Sequence, residues 1–425
     1  MKLNKLLAAL IGSAVVPVAL AGVYPQCPAD VVASGTNATD PDTGLVMRAY
    51  TPPGGNRKVC LHLAAGDGWM TLGDGTRMYG FGFSPANPVL AGRDAGDAVM
   101  INGLNAAQFS APKLTFRQGD EVYLALTNVG MVLRPDLFDQ HSVHWHGFPE
   151  ASAIFDGVPN ASVTVNQGST FTYYYKVVEA GTFIYHCHVE STEHMAMGML
   201  GILNVEPSQN ALPARRDATQ PLTDARTYAK FAYNDGDGST GYTVDFSLQL
   251  GGMDSNFHDL HERVQPLPFL ELKTDYTTLN GRGYPMTTIG DKANMQNVVL
   301  DDASELPVTQ PLSALITART NERVLLRMSN LNIIDYYTVT ALGVPMRVVG
   351  RGAHIARGTT GAVGDSWAHN TGSVTLGGGE AVDVLLDLQG VAPGTYYLYT
   401  TNLNYLSNGA SDDRGGLMTK IVVAN

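Results

Sequence analysis

Two short stretches hold six of the chain's eleven histidines and one of its three cysteines: "HSVHWHG" at 141–147 and "HCHVESTEH" at 186–194. Side chains along a strand alternate between faces with period two. His144 and His146 therefore share one face, and His141 projects from the other. In the second stretch His186 and His188 share a face while Cys187 points away from them. If the two strands are neighbours, four imidazoles converge on one side of the sheet, and His141 meets Cys187 on the other.

Each side has its own chemistry. A thiolate, two imidazoles and a weak thioether make the trigonal copper site of blue electron-transfer centres, where soft sulfur favours Cu(I) and imidazole suits both oxidation states. Cys187 and His141 supply two such ligands. His194 and Met199, in "HMAMGM" on the following loop, stand at a spacing that could supply the third and the axial one. On the opposite face His144, His146, His186 and His188 form half of a histidine-only copper cluster. His186 and His188 flank Cys187 covalently, a short bonded route for an electron between the two sites. Zinc also takes cysteine and histidine ligands and stays open as the alternative metal. Met195 and Met197 read as packing or solvent-facing residues.

The elements that must position these residues are strands. Runs such as "LTFRQGDEVYLALTN", "GTFIYHCHV" and "SVTLGGGEAVDVLLDL" alternate apolar with polar residues and end at Gly, Asn, Asp or Pro. The halves repeat one plan. "GDEVYLALTN" matches "NERVLLRMSN", "QGSTFTYYYKVVEAGTFIYHCH" matches "GGEAVDVLLDLQGVAPGTYYLYTT", and "GMLGILNV" matches "GLMTKIVV", in the same order. The expected fold is all-β: two tandem β-sandwich domains of Greek-key character at 45–207 and 223–425, joined by a polar, proline-punctuated linker at 208–222. Residues 22–44 read as an N-terminal leader.

The chain opens "MKLNKLLAALIGSAVVPVALAG", where two lysines precede an apolar run that ends in small residues. Residues 1–21 read as a secretory signal peptide, with a retained anchor as the rival reading. Export to the periplasm or the extracellular space is the expectation. No later stretch is apolar enough to span a membrane, so no membrane contact is expected after processing. An oxidising compartment favours a Cys27–Cys60 disulfide, which leaves Cys187 as a free thiol. The net charge of −12 and the lack of any basic run exclude nucleic acid and anionic membranes as partners.

"HSVHWHG", "FDGVP", "GTFIYHCHVESTEHMAMGM" and "GILNVEP" together resemble the multicopper oxidases, the cupredoxin-domain family that includes laccases and copper nitrite reductases. The resemblance covers both domains, with its specific motifs all in the first. It implies a type 1 copper at His141, Cys187, His194 and Met199. It also implies a type 2 copper at His144 and a type 3 pair at His146, His186 and His188. The implied reaction oxidises a substrate by single electrons at type 1 and reduces dioxygen to water at the cluster. Asp156 and Glu190 occupy the places of the family's proton-relay acids; their plain alternatives are a turn aspartate and a solvated glutamate. The implied electron donor is a small phenol, a metal ion such as Cu(I), Fe(II) or Mn(II), or a redox protein, and two-domain relatives imply a homotrimer by analogy.

The second half departs from this pattern. A complete cluster needs as many histidines again from a second domain or a neighbouring subunit, yet Tyr399, Thr400 and Thr401 stand where His-Cys-His would fall, and the H-x-H position falls near Thr338-Val339-Thr340. His258, His261, His354 and His369 remain there without any H-x-H pair, and His62 has no assigned role. An electron-transfer or copper-binding protein without oxidase turnover is therefore the alternative. A nitrite reductase is less favoured, because that subfamily usually has aspartate in place of His144 and lacks the second histidine of "HCH".

Overall fold

The computed structural model describes residues 25–87, 93–148, 151–291, 295–299, 304–359, 364–407 and 415–425. The expected signal peptide at 1–21 lies outside them. The described chain is almost entirely β. Its first domain has a six-stranded sheet in the order β1 (Thr36–Thr39), β2 (Val46–Tyr50), β3 (Lys58–Thr71), β6 (Glu121–Gly130), β8 (Thr170–Lys176), with β4 (Arg77–Pro85) paired to the far half of β3. Facing it is a four-stranded sheet in the order β5 (Leu114–Arg117), β10 (Leu200–Glu206), β9 (Gly181–His186), β7 (His144–His146).

The second domain repeats the scheme. Its larger sheet runs β12 (Tyr276–Leu279), β11 (Val244–Met253), β14 (Arg323–Asn330), β18 (Glu380–Asp387), β16 (Met346–Arg351), with two short strands added to β16. Its smaller sheet runs β13 (Ile316–Arg319), β20 (Met418–Ala424), β19 (Gly394–Thr400), β15 (Tyr337–Leu342), β17 (Val374–Leu376). The parallel pairs fall at equivalent places: β3 with β6 and β11 with β14, then β5 with β10 and β13 with β20. The repeat legible in sequence is therefore a repeat of strand pairing.

The leader and the linker are built into the fold. Residues Ala29–Ser34 form a short helix, α1, and β1 pairs along its whole length with β2. Cys27 is bonded to Cys60 on β3. Within 208–222, Arg215 and Arg216 pair with Tyr228 and Thr227. Among the described residues no helix is long and apolar enough to cross a membrane.

Burial sets the parity of the strands that matter. Trp145, between His144 and His146, is 1% exposed and stacks on Tyr175 with ring centroids 3.7 Å apart. On β9, Phe183 and Tyr185 enter the same core, and Cys187 just beyond the strand follows them. A slip of one residue in either strand would drive a histidine into this core and expose an aromatic ring, at a cost of a few kcal/mol per ring (roughly 25 cal/mol per Å²). The opposite face of β9 meets the second domain. Thr182 donates to Asp383 on β18, and Arg327 on β14 approaches both. Nearer the site, Ile184 and Leu200 pack with Leu331.

Among the described residues His62 on β3 joins no group that could hold a metal ion, and it is fully buried, with Nε2 2.7 Å from the Thr127 hydroxyl. Burial pushes its pKa down to about 3. Between there and the ordinary histidine value near 6.5 the unfolded chain binds the proton and the folded chain does not, so stability falls as pH falls through that window. Urea denaturation at pH 7 and pH 4.5 should show His62→Gln losing about 2 kcal/mol less than the wild type between the two conditions. An equal loss in both proteins would remove His62 as the source.

Candidate functional site

Antiparallel pairing of β7 with β9 sets His144 opposite His186, Trp145 opposite Tyr185 and His146 opposite Ile184. Two groups of side chains result, on opposite faces of one sheet. On the core side, Cys187 is a free, fully buried thiol whose Sγ lies 3.9 Å from His141 Nδ1 and 3.3 Å from His194 Nδ1. Both imidazoles are fully buried, and the three ligand atoms lie within 4.8 Å of one another. The Ser142 N–H donates to the sulfur at 3.4 Å.

His194 sits on a six-residue helix, α2 (Ser191–Ala196), entered through Glu190 at φ 44° and left through Gly198 at φ 118°. Met199 follows, fully buried in the same core, and its carbonyl accepts from the Cys187 N–H. Cys187, His194 and Met199 thus follow one another along a strand end and the turn after it, and His141 joins them from the segment before β7. Met197 is core packing, and Met195 packs against the Ile184–Leu331 cluster.

The electrostatics separate the two imidazoles. Burial, reinforced by His194, drives His141 well below its ordinary pKa. Burial opposes charge on His194 too, but the Cys187 sulfur and Asp139 outweigh it and push the pKa up to about 10. The site therefore stabilises a positive charge beside the sulfur. Asp139, whose carboxylate is 3.8 Å from His194 Nε2, was not singled out from sequence. With Glu193 and His194 it forms a second close group of potential ligands. Its signal was parity, since it precedes His141 by two.

On the other face the four histidines gather. The His144 ring centroid is 5.2 Å from His186, 5.1 Å from His188 and 6.0 Å from His146. Two of the rings are oriented by main-chain carbonyls. His144 Nδ1 faces the Asp156 carbonyl at 2.6 Å, and His186 Nδ1 faces the Cys187 carbonyl at 2.9 Å. Donation there leaves Nε2 unprotonated, the tautomer a metal requires. Burial lowers His146 and pushes His186 down to about 3, so both are neutral at physiological pH. The Asp156 carboxylate is 3.5 Å from His144 Nδ1, and Glu190 is exposed. Gly379 of the second domain comes so close to His146 that an added Cβ would lie 3.2 Å from its ring.

The second domain's equivalent positions come from register. Tyr399 faces Met418 as His186 faces Leu200, and Thr340 stands opposite Tyr399 as His144 stands opposite His186. The H-x-H equivalents are therefore Thr340 and Leu342, two residues beyond the start of the sequence estimate at Thr338. The loop before β15 is shorter than that before β7. His354 and His369 lie on exposed strands, whereas His258 and His261 are buried behind α2, away from the four-histidine group.

A free buried thiol beside two buried imidazoles, on tandem all-β cupredoxin-type domains, is a donor set that could hold a metal ion. Residues 87–210 match the family model described as multicopper oxidase. A multicopper oxidase from Talaromyces pinophilus is 34% identical over 116 residues, 27% of this chain and 17% of that protein. Laccase-1 from Emericella nidulans is 32% identical over 143 residues, 32% of this chain and 20% of that protein. This chain thus matches about a fifth of the length of those relatives. A blue copper oxidase from Nitrosomonas europaea shares the fold over 86% of each chain, with a TM-score of 0.59 and 22% identity. Over its first domain the chain is similar to multicopper oxidases.

Gly157 of "FDGVP" shows how tightly the H-x-H strand is held. It has φ 79°, and a Cβ there would lie 2.1 Å from the Val143 carbonyl oxygen and 2.8 Å from the His144 nitrogen. Gly168 has φ 74° with nothing within 4 Å of the same position. Gly157→Ala should cost well over the ~1 kcal/mol expected of Gly168→Ala, where only the backbone penalty applies. Urea midpoints of the two variants check this; equal midpoints would contradict the clash.

Proposed function

We propose that this protein is a copper-dependent oxidoreductase of multicopper oxidase type, which takes single electrons from a small reducing substrate and delivers them to dioxygen. One observation carries the reading. Cys187 faces His141 and His194 in a dry core, while its covalent neighbours His186 and His188 face His144 and His146 across the sheet. The donor set fits copper: a free thiol, two buried imidazoles and a thioether on the core side, imidazoles alone on the other. In this reading His141, Cys187, His194 and Met199 hold a type 1 copper, His144 a type 2 copper, and His146, His186 and His188 their share of a type 3 pair. Copper held there supplies one-electron redox chemistry, which the family couples to reduction of dioxygen to water.

The chain's own residues do the rest. Burial of His141, Cys187 and His194 excludes water from the sulfur. The backbone from Cys187 to His186 and His188 joins the two sites through covalent bonds. Asp156, about a third exposed and beside His144, holds and passes protons between solvent and the histidine face, with Glu190 as the second acid. The disulfide supports export to an oxidising compartment, the periplasm or the extracellular space.

A narrow cleft of about 30 Å³ lies between the domains beside the loop that carries His194 and Met199. Met195, Ala196 and Gly198, between the ligands His194 and Met199, form one wall, and Phe257, Leu331 and Ile333 line the rest. Its one carboxylate, Asp254, accepts from the N–H groups of Phe257 and Lys273. A second reading, an electron-transfer or copper-binding protein, draws on the second domain. Thr340, Leu342, Tyr399 and Thr401 offer no imidazole where the cluster's other half would stand. A homotrimer belongs to the first reading, by analogy with two-domain relatives.

Copper-loaded protein should be blue through thiolate-to-copper charge transfer, and Cys187→Ser should be colourless. A colourless wild type holding zinc would end the copper reading. Copper per chain, measured together with dioxygen uptake on a phenolic reductant, separates the two functions. Several coppers with uptake support the oxidase; one copper without uptake supports electron transfer.

A further inference from the structure

The second domain lacks cluster histidines, yet it sends two buried imidazoles to the back of the ligand-bearing helix. They lie on α3 (Ser255–Glu262), which Asp254 caps by accepting from the Phe257 N–H. Phe257 packs into the first domain's core, and His258 and His261 are 1% and 3% exposed. His258 presents Nδ1 to the Tyr79 carbonyl on β4 at 2.5 Å and Nε2 to the Ala196 carbonyl at 3.1 Å. His261, one turn on, places Nε2 2.7 Å from the Glu193 carboxylate, and its own carbonyl accepts from Arg134. Phe81 is wedged edge-on between His261 at 4.8 Å and His194 at 5.7 Å, measured between ring centroids.

We propose that His258 and His261 are positioning residues: the second domain braces α2 through Ala196 and Glu193 and so sets where His194 stands relative to Cys187. A six-residue helix is too short to hold its own shape, and its last carbonyls need partners from outside. The Ala196 carbonyl at its end has His258 Nε2 within 3.1 Å, the single N–H of the neutral ring going either to it or to the Tyr79 carbonyl, and the side-chain carboxylate of Glu193, the residue before His194, meets His261. Apolar side chains would fill the same space without the cost of burying polar groups, so simple packing does not account for two imidazoles aimed at these atoms. Groups that orient a metal's ligands commonly change its affinity ten- to a hundredfold (an order-of-magnitude range) when lost.

The proposal rests on His194 being a copper ligand, and its test separates the two ideas. The full chain is compared as wild type, His258→Ala, His261→Ala, His261→Gln (whose amide can still donate to Glu193) and Thr182→Val, which loosens the domain interface elsewhere. In copper-loaded protein, His258→Ala and His261→Ala should shift the thiolate-to-copper band and release copper about tenfold faster. His261→Gln should restore both properties, and Thr182→Val should lower Tm without moving the band. In copper-free protein, amide exchange over residues 190–198 should accelerate about tenfold in the two alanine variants alone. Unchanged exchange and an unchanged band in those variants would overturn the brace, as would an equal shift in Thr182→Val. A colourless wild type would overturn the copper reading, and the exchange measurement would still decide the brace. If His258→Ala does not fold, the His261 pair decides it.

Discussion

A β-strand sends successive side chains to opposite faces, and at residues 186–188 that alternation separates two chemistries by a single peptide unit on each side. Cys187 goes into an apolar core with His141 and His194, and His186 and His188 go to the other face with His144. Much of the first domain serves to make this parity unambiguous. Trp145 and Tyr185 are opposite one another and both essentially fully buried, so neither β7 nor β9 can slip without exposing a large ring. The apolar residues interleaved with the histidines aim them.

The same face of β9 also runs into the contact between the domains. Thr182 reaches Asp383, Ile184 meets Leu331, and the histidines follow at the edge, where Gly379 lies against His146. Asp383 is completely buried, and burial raises its pKa, although Arg327, Thr182 and Tyr233 all favour its charge. Such a network contributes little net stability when complete and costs several kcal/mol (about 3–5) when one partner is removed, so it serves to fix one docking geometry. The two residue groups experience the domain contact from two directions, α3 behind α2 and β18 beneath the histidine face.

What could be read in the chain divides along physical lines. Strand alternation, the internal repeat and the cysteine pairing are local or periodic properties, and each has its counterpart in the fold. The H-x-H equivalent in the second domain was displaced by two residues, because loop length carries no register information and only the pairing of Thr340 with Tyr399 locates it. Asp139 was within reach of the parity argument, two positions before His141. Glu193 lay inside a stretch already singled out, but its partner His261 is 68 residues away, and no spacing rule connects them.

The sequence by itself determined the donor set and its division between faces. Residue identity fixes which atoms can bind copper, and the two-residue period of a strand fixes which of them travel together. Tertiary structure alone decided what surrounds that set: the bracing of α2 by His258 and His261, the meeting of Asp139 with His194, and the closeness of Gly379 to His146. These contacts join segments far apart in the chain, and their geometry follows from how two domains dock. That docking depends on the shape and burial of whole surfaces, which no local pattern of residues encodes.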